Sequence, residues 1–175
     1  MESIIEGKVW KFGDNISTDL MMPGFSRGRG LERAKFCMYS NRPGWSDQVQ
    51  KGDIIVGGKN FGCGSSRPAA INLQLLGISA VVAESIGRIF FRNSINIGLP
   101  AIIAPGITEI VDEGERIRID LEKGEITNLN NGKTLHFDPM PEDSPPMQIL
   151  KAGGILRLLE AEYKPKEKLT LVSSE

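Results

Sequence analysis

The chain holds one histidine, His136, and two cysteines, Cys37 and Cys63, in 175 residues. So thin a set of soft and imidazole ligands excludes a four-ligand zinc site or a thiolate-held cluster, unless carboxylates fill most positions. It also argues against a disulfide framework. A serine–histidine or cysteine–histidine pair would have to use His136. That residue alternates with Leu135 and Phe137 in "GKTLHFD", as on one face of a strand, and reads as structural. Charge of one sign is missing too: 21 basic against 22 acidic residues leave a net charge of −1. A general nucleic-acid or anionic-membrane binder needs a positive surplus, so neither partner is expected. No apolar run approaches the ~20 residues of a membrane span. The start, "MESIIEGKVW", lacks a basic stretch followed by an apolar core, and the expected location is the cytoplasm. Catalysis here must do without the usual acid, base and metal side chains, or take them from a partner.

What is present is ordinary globular composition, 40% hydrophobic and 25% charged, with 20 glycines and ten prolines marking many turns. The length suits one domain. Residues 1–165 read as that domain and 166–175, "KEKLTLVSSE", as the end of a solvated tail. "SIIEGKVWKF" has the β-branched and aromatic content of a strand. Residues 14–30 read as loop, and "LERAKFCMYS" (31–40) as a short helix. The centre then alternates: strand "GDIIVGG", a helix with Ile71, Leu75 and Ile78 at helical spacing and a stop at Gly77, and strand "ISAVVAE". A helix with Ile86, Ile89, Phe90 and Ile97 on one side follows, closed by Gly98, and then strand "AIIA". That order predicts a parallel sheet with packed helices. From residue 107 the alternation of "ERIRIDLEKGEITNLNNGKTLHFD", with turns at Lys123-Gly124 and Asn131-Gly132, predicts antiparallel hairpins. "SPPMQILKAGG" predicts one more capped helix.

The stretch that needs explaining is residues 57–70, "GGKNFGCGSSRPAA". Glycine loses the most backbone entropy on ordering and brings no side chain to a core. The loop joins a buried strand to a helix whose first turn holds Pro68, which predicts Ser66 or Arg67 as the cap and outward N–H groups over residues 66–70. Such a helix start attracts anions, and the Arg67 fork matches a carboxylate. Ser65 and Ser66 serve either as cap and turn residues or, for one of them, as a catalytic alkoxide favoured by those donors. The Walker lysine is absent, and Arg67 stands where a nucleophile elbow has its last glycine.

"GGKNFGCGSSR" closely resembles the Asn-Phe-Gly-x-Gly-Ser-Ser-Arg signature of the swivelling domain of the aconitase superfamily. "GDNISTDLMMPG" (13–24) resembles that domain's first motif, and "ESIGRIFFRNSINIGLPAI" (84–102) its third block, in the same order and spacing. The resemblance covers nearly the whole chain. It implies an α/β fold: a swivelling β/β/α domain with a central, mostly parallel sheet, flanking helices and a β-hairpin periphery. At this length the chain is similar to small subunits of hydro-lyases of the isopropylmalate dehydratase type, or of siblings such as homoaconitase or dimethylmalate dehydratase. The family's [4Fe–4S] cluster sits on a separate large subunit, which implies a heterodimer or heterotetramer acting on a small dicarboxylate. By the same resemblance Ser65 is the base that removes a proton from carbon, and Ser66 and Arg67 hold substrate oxygens. Asp19 orients active-site groups, and Arg27 or Arg29, in the segment "PGFSRGRG" (23–30), reaches a substrate carboxylate. That segment has three glycines and no apolar periodicity, so it is expected to be untethered until the site closes. Arg88 and Arg92 read either as a solvated helix face or as docking and support residues, and Cys63 as a small residue in a tight loop. Pro68-Ala69 replaces the family's usual Glu-His, which normally supports the loop from behind. A second reading keeps the fold but makes the chain a non-catalytic, carboxylate-binding regulatory or scaffold subunit.

Overall fold

The computed structural model describes residues 3–64 and 67–163. Seven strands form one mixed sheet: β1 (Ile4–Lys11), β2 (Ile54–Gly57), β3 (Ala80–Ala83), β4 (Ala101–Ile103), β5 (Arg116–Asp120), β6 (Glu125–Asn128) and β7 (Thr134–His136). Their spatial order is β4-β3-β2-β1-β5-β6-β7. β1 to β4 pair in parallel, Val9 with Ile54, Ile54 with Ala80 and Val81 with Ala101. β1, β5, β6 and β7 pair antiparallel. This is the predicted α/β architecture, a parallel half with flanking helices and a hairpin half.

The central parallel strands β2 and β3 are buried on both faces, so each is a continuous apolar run rather than an alternation. Period-two geometry divides the parallel strands between two cores. Trp10, Ile55, Val81 and Ala83 face one side, with Trp45, Phe61, Leu73 and Phe90. Val9, Ile54, Val56, Val82 and Ile102 face the other, joined by Ile117, Ile119 and Ile126 of the hairpins. The sheet curls enough that Phe137, just past β7, lines a cleft with Ala101–Ile103 of the opposite edge. One buried carboxylate serves the first core: Asp53 accepts from Trp10 Nε1 at 2.7 Å and from the Gln50 N–H at 2.8 Å. Both its partners are donors, so its burial leaves that oxygen satisfied.

Helices depart from the expectations in instructive ways. Between β1 and β2 lie only single turns, α1 (Thr18–Met21) and α2 (Leu31–Ala34). The helix predicted over 31–40 stops early because Met38 is left-handed (φ 58°) and its N–H bonds to Met21. That kink drives Cys37 and Met38 into the core. α3 (Ala69–Leu76) ends at left-handed Gly77 as predicted. Its cap, however, is Pro68, not Arg67, and Ser66 lies outside the described residues. Proline has no N–H, and the Ala69 N–H is spent on the Arg67 carbonyl at 2.8 Å, so the expected row of anion donors is shortened. The buried side of α3 is Ala69, Ala70, Asn72 and Leu73; the predicted core residues Ile71 and Leu75 face outward. Small alanines let the helix lie close to the sheet, and the bulkier side chains take the open side. α4 (Arg88–Asn96) buries Phe90 and Ile95, leaves Ile89 exposed, and is followed by left-handed Gly98.

Beyond β4 comes a turn that sequence pattern did not predict, α5 (Ile107–Ile110), and after β7 the predicted α6 (Pro145–Ala152) and an unpredicted α7 (Ile155–Glu162). The tail assigned to 166–175 lies outside the described residues. No described helix is long and apolar enough to cross a membrane.

Two tests follow from these contacts. Glu84 caps α5 from the end of β3, accepting from the Gly106 and Thr108 N–H groups and the Thr108 hydroxyl. Desolvation pushes its pKa up, but those three hydrogen bonds and Lys59 outweigh it and the net shift is downward. A depressed carboxylate stabilises the fold above its unfolded pKa and loses that contribution as pH falls through its folded value. Glu84→Gln should therefore cost about 1 kcal/mol in urea melts at neutral pH, with the difference from wild type vanishing below the usual carboxylate range. Gly62 is left-handed (φ +72°), and a Cβ there would stand 2.6 Å from that of Phe90. Gly62→Ala should destabilise by about 2–4 kcal/mol in the same assay; a loss below about 1 kcal/mol would show that Phe90 can yield.

Candidate active site

The three sequence blocks meet where the parallel strands end. Beyond β1, residues 13–18 run beside residues 58–63, the continuation of β2. The ladder comprises Gly58 N–H to Gly13 carbonyl, Asn15 N–H to Lys59 carbonyl, Gly62 N–H to Ile16 carbonyl and Thr18 N–H to Cys63 carbonyl, at 2.7–3.2 Å. On the other flank residues 85–87, beyond β3, bond to Phe61 in both directions, Phe61 N–H to Ser85 and Gly87 N–H to Phe61, at 3.0 and 2.8 Å. Both flanks are parallel bridges, Ser17 with Cys63 and Phe61 with Ile86. Asn60 and Asn15, both left-handed, lock the near end through an amide–amide hydrogen bond of 3.0 Å. The glycines are explained by this triple ribbon. A Cβ on Gly87 would stand 2.6 Å from the Gly62 carbonyl oxygen, so the α4 side can approach only a bare backbone. The ligand crevice of an open parallel sheet lies at these carboxyl ends.

At the tip, Arg67 and Asp19 come together. Arg67 Nε donates to Asp19 Oδ1 at 2.9 Å, with Arg67 about a third exposed and Asp19 more open. Asp19 is placed by α1, whose cap Ser17 accepts from the Leu20 N–H at 3.1 Å. The Arg67 Nη groups have no hydrogen-bond partner among the described residues, so the fork is aimed and unspent. A cleft of about 220 Å³ runs from Arg67, Gly64 and Thr18 between α3 and α4, past Ile71, Ile89 and Asn93. Thr18 is 2% exposed and its Oγ1 has no hydrogen-bond partner. The cap of α1 is its neighbour Ser17, so Thr18 is free of that role. Only its burial beside Gly64 singles it out, and no local sequence signal carries that.

Other candidates fall out differently. Ser65 and Ser66 lie outside the described residues. Arg27 and Arg29 are exposed and make no hydrogen bond or ion pair among the described residues. The start of their segment packs against its neighbours. Phe25 meets Phe36 and Tyr39 edge-on at 6.1 and 5.7 Å, and Gly24 lies against the Arg67 fork. Aromatic pairs far apart in sequence supply an anchor that has no periodicity. Arg88 and Arg92 are exposed on α4 without partners among the described residues. His136 is exposed opposite Glu125, at 3.9 Å, and far from a buried structural role. Ala69 is buried, so apolar packing supports the loop where the resembled family has its histidine.

Cysteine chemistry is divided as well. The Cys37 thiol is buried against the Met22 sulfur at 3.2 Å, and burial pushes its pKa up to about 12. It is inert at neutral pH. Cys63 is half-buried in the ribbon. Among the described residues no group of three or more histidine, cysteine or acidic side chains could hold a metal ion.

Comparison with known proteins agrees with this geometry. The family described as aconitase C-terminal domain matches residues 29–105. The isopropylmalate/citramalate isomerase small subunit of Methanocaldococcus jannaschii is 49% identical, covering 91% of this chain and 96% of the relative. The methanogen homoaconitase small subunit of Methanothermobacter thermautotrophicus is 46% identical, over 89% and 91%. A 3-isopropylmalate dehydratase small subunit of Thermotoga maritima is 47% identical, over 90% and 95%. The crystal structure of 3-isopropylmalate dehydratase from Methanocaldococcus jannaschii superposes with a TM-score of 0.84 at 40% identity, over 91% of this chain and 95% of that one. With this ribbon, this Arg67–Asp19 pair and these relatives, the chain belongs to the aconitase superfamily, in the family of 3-isopropylmalate dehydratase-type hydro-lyase small subunits.

Proposed function

We propose that the chain acts as one swivelling domain over residues 1–165 in a cytoplasmic, heteromeric hydro-lyase, isomerising a hydroxy-dicarboxylate such as 3-isopropylmalate. The observation that carries the reading is the Arg67 fork. Asp19 takes its Nε, and the two Nη groups are left to grip a carboxylate bidentately at the mouth of the cleft. Two cysteines cannot supply three thiolates, and Cys37 is buried and protonated, so the residues of this chain do not fit an iron–sulfur cluster. The reading assigns the cluster to a large subunit, in keeping with relatives named small subunits.

This chain's part is binding and proton transfer. Arg67 and Ser66 hold the substrate's carboxylate oxygens. Ser65 takes the proton from the carbon next to the departing hydroxyl, and on re-addition returns a proton to a carbon of the unsaturated dicarboxylate. Asp19 fixes the guanidinium plane. Phe25, anchored by Phe36 and Tyr39 and next in the chain to Gly24 at the Arg67 fork, meets the substrate's side group, and Arg27 or Arg29 meets the second carboxylate. The relatives' names divide between isopropylmalate/citramalate isomerase and homoaconitase at similar identity, and the reading assigns the choice of side group to this segment.

The test is reconstitution with the large subunit. Arg67→Lys keeps the charge and loses the planar fork, and kcat/KM should fall roughly 10²-fold, about 2.7 kcal/mol. A value within about threefold of wild type would make the arginine structural. Ser65→Ala should abolish turnover with the complex intact. Unchanged turnover would instead identify a carboxylate-binding regulatory subunit.

A further inference from the structure

The outward side of α3 and α4 is the part of the molecule that the fold leaves unexplained. Ile71 and Leu75, one turn apart on α3, are 44% and 41% exposed, and Ile89 on α4 is 46% exposed. Ile71 and Ile89 line the same cleft as Arg67. At 100° per residue, Arg92, Asn96, Ile89 and Asn93 share one arc of α4, with Arg88 at its edge. Both arginines are exposed and unpaired among the described residues. An apolar strip bounded by free cations is what the centre and rim of a protein interface look like.

We propose that this α3–α4 face is where the large subunit docks, through a surface that offers apolar side chains to Ile71, Leu75 and Ile89 and carboxylates to Arg88 and Arg92. The inference rests on the proposed function and deepens it. If the metal is brought by a partner, that partner must approach Arg67 to within the length of one small substrate. It therefore covers surface continuous with Arg67, and the α3–α4 cleft is such a surface. Leu156 and Leu159 on α7 are exposed too but lie outside that cleft, while exposed Leu20, Phe25, Leu31 and Tyr39 belong to the segment on the Asp19 side of Arg67. The apolar strip supplies affinity, and the arginines supply steering, so their effect is on association rate and salt dependence.

Calorimetric titration of the small subunit with the cluster-bearing large subunit, at low and high salt, reads this directly. Ile71→Asp and Ile89→Asp should each weaken association about 30-fold or more. Arg88→Glu with Arg92→Glu should abolish or invert the salt dependence. Leu129→Asp, on the exposed turn after β6, should bind as wild type. Because Ile71 and Ile89 are surface residues, the variants should keep wild-type thermal melts, and Ile89→Ala should show a smaller loss in the same direction. Wild-type affinity in both aspartate variants, or an equal loss in Leu129→Asp, would overturn the docking face alone. Failure of wild-type subunits to associate would overturn the proposed function and this face with it.

Discussion

Everything in the site depends on bare backbone passing bare backbone at Gly62 and Gly87. The chain beyond β2 runs between the segments beyond β1 and β3, close enough that each exchanges hydrogen bonds with it. A Cβ at either glycine would meet Phe90 or a carbonyl and open the gap. The entropy that so many glycines lose on ordering is offset by the ladder they permit. The ladder puts Asp19, forty-eight residues away in sequence, onto Arg67.

The ribbon also accounts for where the site lies. Parallel strands need crossover connections, so their carboxyl ends gather loops from distant parts of the chain. The buried, two-faced parallel half holds those ends rigid, and the hairpin half closes the second core behind them. Arg67 is thus presented on a loop rooted in strand β2 and steadied by buried Ala69 and Ala70, not on a free surface turn. An arginine so placed needs only one carboxylate, Asp19, to fix its plane and keep its outer nitrogens for a ligand.

The division of labour between subunits is written in the same residues. Inert Cys37, half-buried Cys63 and an exposed His136 leave this chain with alcohols, guanidinium groups and backbone donors. Those are tools for holding carboxylates and moving one proton. On the proposed reading, the apolar side chains that α3 and α4 turn outward belong to the same logic, as the surface that the partner would cover.

Sequence alone determined the strands, the order of the β/α units, the hairpins and the three blocks, because strand period, left-handed glycines and turn dipeptides are local properties. Gly77 and Gly98 ended helices as read, and the motifs singled out Arg67 and Asp19, which the fold pairs. The tertiary structure alone decided which face of α3 is buried. Ile71 and Leu75 have the spacing of a core stripe, but alanines at 69 and 70 allow a closer approach to the sheet and turn the isoleucine outward. It decided the early end of the helix at 31–34, through Met21, and the aromatic anchor of Phe25, through Phe36 and Tyr39. It also decided that the lone hydroxyl of Thr18 is buried and unpaired beside the site. Burial and distance between remote residues are sums over the whole fold, and no window of sequence contains them.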